Sequence, residues 1–127
     1  MNLKEGAVTL LGTATLDVTG TAQTTIYTVP VGKRCILDHI KIVSGATASP
    51  TAVVTFGQNG AATDFLGAQT MTNLAAQYDT VICAPIPHAT PVKTKSYAAG
   101  TVIEADVTTA DADGGTDNTV YVYGTLY

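Results

Sequence analysis

The chain carries two histidines and two cysteines, with three serines at Ser44, Ser49 and Ser96, and the spacing of these few groups decides what chemistry is open to them. None of the serines lies in a Gly-x-Ser-x-Gly turn that would lift a nucleophile above a sheet. His39 follows Asp38 directly; neighbours on a strand point to opposite faces, so the two form an acid–base couple only where a bulge intervenes. His88 falls in a proline-rich connection and reads as an exposed loop histidine. Glu104 and Asp106 share a strand face about 7 Å apart, close to the separation of paired glycosidase carboxylates. The chain has no tryptophan to make a sugar platform, so they read as a solvated strand face. Asp111, Asp113 and Asp117, interleaved with Gly114 and Gly115, are the candidate set for a hard cation such as Ca²⁺, which takes roughly six to eight oxygens. The EF-hand spacing is not met, and the segment reads first as a flexible hairpin loop. Cys35 and Cys83 lie far apart, without a C-x-x-C or a metal-ligand spacing, and are expected to be buried free thiols. No Gly-x-x-x-x-Gly-Lys cradle is present. The expectation is a protein without catalytic residues and without a cofactor.

The elements that must position these groups are strands. Thr9 to Leu16 alternates in part, with Gly12 marking a bulge or bend. Gln23 to Val29 closes at Pro30-Val31-Gly32, and Cys35 to Val43 follows as a half-buried strand with Ile36, Ile40 and Ile42 on one face and Asp38 as its odd member. Thr51 to Gly57 is a further strand, and Asn59-Gly60 predicts a tight hairpin with a return strand near Thr63 to Leu66. Ala68 to Gln77 is the only stretch with helical content, and a loop or a single turn fits it equally. Tyr78 to Ala84 alternates again. Pro85, Pro87 and Pro91 then remove three amide donors, making an extended connection or a sheet edge. Thr101 to Thr108 and Thr119 to Tyr127 complete seven to nine strands, the number an antiparallel two-sheet sandwich, jelly-roll-like, requires. Residues 1–127 read as a single domain.

Composition removes several functions. There are 127 residues with six basic and ten acidic side chains, a net charge of −4 and only 13% charged residues. The sequence pI is about 4.7. Six scattered cations leave no electrostatic footprint for a nucleic-acid backbone, and no apolar run approaches the roughly 18 residues that span a bilayer. Neither nucleic acid nor membrane is expected as a partner. The start, Met1 to Gly6, lacks the basic and apolar regions of a secretory signal, and synthesis in a cytoplasm is expected.

What remains is a surface. In the last strand Val120, Val122 and Leu126 share one face, placing Tyr121, Tyr123 and Tyr127 on the other. With the valines inward, three tyrosines form an outward stripe suited to a protein contact, because tyrosine offers large area at low entropic cost; the reverse parity stays open. Residues 1–6 form a candidate N-terminal arm, with Leu3 and Lys4 as contact residues on a neighbour.

The run Thr25-Ile26-Tyr27-Thr28-Val29-Pro30-Val31-Gly32-Lys33 resembles the Tyr-Thr-Val-Pro-x-Gly-Lys entry of small β-sandwich structural proteins of tailed bacteriophages. Ala98-Ala99-Gly100-Thr101-Val102-Ile103 and the closing Val-x-Val-x-Gly strand are similar to the ending of the same group. The resemblance implies a jelly-roll capsid decoration, or cement, protein: a virion component on the outside of the capsid that braces the major capsid protein and acts as a homo-oligomer, dimer or trimer. The alternatives are a tail or head fibre component with a receptor-binding surface, and a carbohydrate-binding module.

Overall fold

The computed structural model describes residues 7–86 and 88–127. Nine strands are found and no helix among the described residues: β1 (Thr9–Leu16), β2 (Gln23–Thr28), β3 (Cys35–Val43), β4 (Val53–Gln58), β5 (Ala61–Thr70), β6 (Thr80–Cys83), β7 (Ser96–Tyr97), β8 (Val102–Thr109) and β9 (Asn118–Leu126). They form two antiparallel sheets. Sheet A runs β1-β9-β3-β6, with β7 also on β3, and sheet B runs β2-β8-β4-β5. The pairings are nested: β4 with β5, β3 with β6 and β7, β2 with β8, β1 with β9. A long hairpin folded back over itself in this way is a jelly roll. No helix of the described residues is long and apolar enough to cross a membrane.

The innermost turn is the predicted Asn59-Gly60, although only Gly60 takes a left-handed φ of +86°. Asn59 uses its side chain instead, donating from Nδ2 to Glu104 Oε1 at 2.8 Å. The stretch from Ala68 to Gln77 is not helical: β5 continues to Thr70, and a loop of turns follows. β6 and β7 occupy successive lengths of the same edge of β3. Between them the chain leaves the sheet as a strap where Pro85 and Pro91 cannot donate to a ladder.

The core lies between the sheets. Sheet A contributes Leu16, Cys35, Leu37, Ile40, Ile42, Val120 and Val122; sheet B contributes Ile26, Val54, Phe56, Ile103, Ala105 and Val107. Ile36 is not on the core face with Ile40 and Ile42 as the alternation predicts. The register slips between Leu37 and His39, so Asp38 is an extra residue and the inward set is Cys35 and Leu37 before it, Ile40 and Ile42 after it. The polar residue that interrupts the alternation is the bulge itself. Gly12 has the same origin, with β1 slipping between Leu10 and Gly12. Cys35 and Cys83 are buried and unbonded to each other, and burial pushes both thiols up to about 11, which keeps them protonated and unreactive.

Candidate functional site

β9 is a central strand, between β1 and β3, and its alternation is strict. Val120 and Val122 are fully buried, whereas Tyr121 and Tyr123 are half-buried on the outer face of sheet A. The inward parity of the valines follows from their neighbours: Val122 pairs with Ile40, and Val120 with Ile42, all apolar and all facing sheet B. On the outer face the cross-strand rows are Leu10–Tyr123–His39 and Thr13–Tyr121–Lys41–Ile82. Leu10 and Ile82, at the two ends of these rows, are 49% and 66% exposed. The face is therefore aromatic in the middle, aliphatic at the margins, and carries a single ammonium.

Both strands flanking β9 bulge at the level of Tyr123, β1 at Leu10/Gly12 and β3 at Leu37/His39. Bulges re-aim side chains, and here the consequence is visible. His39 stacks on Tyr123 with ring centroids 4.4 Å apart and an interplanar angle of 11°. Lys41 Nζ sits 5.4 Å from the centre of the Tyr123 ring, within range of a cation–π attraction. The bulge also brings together the adjacent pair that regular geometry keeps apart: Asp38 Oδ2 lies 2.7 Å from His39 Nδ1. That contact resembles the base-orienting half of a hydrolytic triad. It stops there, because no hydroxyl or thiol among the described residues bonds to the histidine, and the imidazole is spent on its stack with tyrosine.

Tyr127 stands apart from the stripe. Its hydroxyl is 2.7 Å from Ser96 Oγ, and its backbone makes a reciprocal pair with Arg34, 3.1 and 2.8 Å. The bond to Ser96 is the largest influence and, with Arg34 adding to it against the opposing effect of burial, holds the phenol below its ordinary range. Leu3 and Lys4 lie outside the described residues.

The other candidates are dispersed. Glu104 is not on a solvated face: it is 5% exposed, central in sheet B between Thr25 and Gly57, with Oε1 held by Asn59 and Oε2 without a partner. Asp106 is half-buried beside it. Asp111 accepts the amide of Thr51 on Oδ2 and that of Asp113 on Oδ1, both at 3.2 Å; these bonds, Thr51 first, hold its carboxyl below the usual range. Asp117 Oδ2 accepts the amide of Ala46 at 3.4 Å, and a side chain at Gly45 would collide with that carboxylate. Asp113 is exposed. The loop carboxylates thus serve distant backbone amides, and no group of three or more metal-ligating side chains gathers among the described residues.

Sequence reasoning missed two features. Asp64 joins the two sheets: Oδ1 accepts from Gln58 N at 3.1 Å and Tyr97 Oη at 2.8 Å, and Oδ2 from Gln58 Nε2 at 2.7 Å and from Lys95 Nζ. Burial alone would push this carboxyl up; the bonds from Lys95, Tyr97 and Gln58 outweigh it and hold the carboxyl below its ordinary value. Tyr78, read from the sequence as the start of a strand, instead occupies a left-handed turn at φ +71° and is 76% exposed.

No family model matches the chain, and no curated protein matches it. Among solved structures, it is similar over 95% of its length to a chain of the cyanophage Pam1 capsid asymmetric unit, of which 86% is covered, at 17% identity and a TM-score of 0.48.

Proposed function

We propose that this protein is a non-enzymatic structural component of a phage virion, a decoration protein that lays the outer face of sheet A against the outside of a capsid and braces neighbouring major capsid subunits. The observation that carries this reading is the face itself: Tyr121 and Tyr123 on a central strand, re-aimed neighbours at both bulges, and exposed Leu10 and Ile82 at its margins. Interface cores favour aromatic residues and are depleted of Lys, Glu and Asp, and the sheet holds these rings without the entropy cost of ordering a loop. The phage-protein resemblance of the Tyr27-to-Lys33 run supports the same assignment. A glycan platform is the weaker alternative, because sugars stack on open ring faces, and one face of Tyr123 is already taken by His39.

The test is co-sedimentation with capsids assembled without this protein. The wild type is expected to pellet in stoichiometric amounts, and Tyr121→Ala/Tyr123→Ala to remain in the supernatant while keeping its strand circular dichroism. A wild type that stays in solution but is retained on a glycan array overturns the assignment.

A further inference from the structure

The loops at the two ends of the sandwich differ in charge. Residues 17–22, 44–52, 71–79 and 110–117 gather at one end, where Asp17, Asp79, Asp111, Asp113 and Asp117 lie with no Lys, Arg or His. At the other, basic end, the connections between β2 and β3 and between β6 and β7 carry Lys33, Arg34, Lys93 and Lys95, all exposed, and no carboxylate among their described residues. Lys95 is spent on Asp64. Arg34 makes no ion pair among the described residues, and it stands on the outer face of sheet A. Its backbone pairs reciprocally with Tyr127, one step beyond the Cys35–Leu126 pair; Cys35 points into the core, so Arg34 and Tyr127 point out. The next row on the same face is Ser96–Ile36–Thr125. Tyr127 continues the column of Tyr121 and Tyr123, roughly 13 Å beyond Tyr123 along the strand direction.

Ser96 holds both side chains. Arg34 Nε donates to Ser96 Oγ at 3.0 Å and Nη2 to the Ser96 carbonyl at 3.4 Å, while Ser96 Oγ and Tyr127 Oη lie 2.7 Å apart. The proton count leaves this cluster with donors to spare. Of the two hydroxyl protons, one fills the Ser96–Tyr127 contact and the other has no acceptor among the described residues. The guanidinium has two bonded acceptors, both on Ser96 and both neutral. Arginine presents its N–H groups as a planar fork that matches a carboxylate, and anchoring Nε fixes the fork before a partner arrives, which spares side-chain entropy on binding. Asp38, the carboxylate of β3, is turned to His39 instead.

We infer that Arg34, with the hydroxyl pair of Ser96 and Tyr127, receives one carboxylate, an Asp or Glu side chain of the protein against which the outer face of sheet A docks. The inference rests on the docking role proposed above for that face and adds a direction to it. A surface that covers Tyr123 passes directly over this cluster. Aromatic and aliphatic rows distinguish poorly between the two ways round they can lie on a partner; a forked charge pair at one end, with no cation in the loops of the other, admits one.

The capsid co-sedimentation, titrated to yield a Kd at about 50 mM and about 500 mM salt, tests it. Arg34→Gln removes the charge, and Arg34→Lys keeps the charge but loses the fork. Both are expected to keep the strand circular dichroism and to bind about tenfold more weakly or worse at the lower salt, with the salt dependence of Arg34→Gln flattened. Capsids whose carboxylates have been amidated with a carbodiimide and a neutral amine are expected to weaken the wild type more than Arg34→Gln, because the wild type alone has that contact to lose. Equal affinity of wild type and Arg34→Gln, or amidation that weakens both equally, overturns the carboxylate receptor and leaves the docking role standing. An Arg34→Lys chain that binds as tightly as the wild type overturns the fork. A wild type that never pellets removes the docking role, and the receptor with it.

Discussion

The two ends of the sandwich use the same kind of residue, a partly buried aspartate, in opposite ways. At the acidic end the loops are tied through short polar side chains to backbone. Asn118, fully buried, donates from Nδ2 to the carbonyls of Leu16 and Gly115 at 3.2 and 3.3 Å and accepts the amide of Gly45 at 3.2 Å. Ser49 accepts the amide of Gly115 at 2.8 Å and gives its own amide to Leu74 at 2.9 Å. Asp79 accepts the amides of Ala75 and Ala76. At the basic end the strap makes no backbone–backbone hydrogen bond among the described residues, and the tie its own side chains make to the body is the Lys95–Asp64 ion pair. The bonds of Asn118 Nδ2 and Ser49 Oγ are buried and join neutral groups, so salt has little to screen. A lysine bridge costs side-chain entropy and is weakened by screening. The chain therefore has one end that behaves as an extension of the core and one that is held electrostatically.

Hydrogen exchange should show the largest contrast. The amides of Gly115 and Ser49 are expected to exchange about a thousandfold more slowly than those of residues 88–90 and 92–95, equivalent to about 4 kcal/mol of opening free energy; equal rates at the two ends would erase the distinction. Next in size, Asn118→Ala takes the side-chain partner from the Leu16 and Gly115 carbonyls and the Gly45 amide, of which the Gly115 carbonyl keeps the Val18 amide, and should lower unfolding stability by about 2 kcal/mol, read from the denaturation midpoint. Asp64→Asn should cost less, about 1–2 kcal/mol, and its effect depends on pH. The native carboxyl titrates below its unfolded value, so the wild type's advantage is complete above the ordinary aspartate range and disappears as pH falls through the depressed native value. Parallel melting curves of the two proteins near neutral pH that fail to converge in acid would contradict this. Smallest of all, Tyr78→Gly removes the left-handed strain and should raise stability by under about 1 kcal/mol, while Lys95→Ala should lower it by a similar amount, and only at low salt.

Much of the fold was legible because the signals were local. Proline and glycine marked the strap and the β4–β5 hairpin, Gly12 marked a bulge, and alternation in β9 separated valine from tyrosine. The errors have a common source in contacts remote along the chain. Asp38 looked like a blemish in a regular strand, but as an inserted residue it shifts the phase of everything after it, and nothing in a single strand's alternation shows where the partner's register slips. Glu104 looked solvated because its neighbours Gly57 and Asn59 come from β4 and the turn that follows it. The Asp111–Asp117 loop looked flexible because its restraints, Thr51 and Ala46, lie some sixty to seventy residues away. Tyr78 carries no sequence signal for a left-handed backbone; its amide is bonded to the carbonyl of Ser44, far back along the chain. The tyrosine face was visible as residue types, and the bulges that organise it were visible only in part.

Nesting of the hairpins also orders events in time. The β4–β5 pair closes across two residues, β3–β6 across a longer loop, and β1 meets β9 only at the outermost layer, where Thr9 faces Gly124. Loop-closure entropy grows with each layer, and pairings of such high sequence separation are slow to form. Acquisition of structure then proceeds from the Asn59-Gly60 turn outward, and β1 stays without its partner until residues 118–126 have left the ribosome. The exposed faces of Leu10, Tyr121 and Tyr123 are assembled in that last step, so the candidate contact surface exists only on chains whose folding is complete.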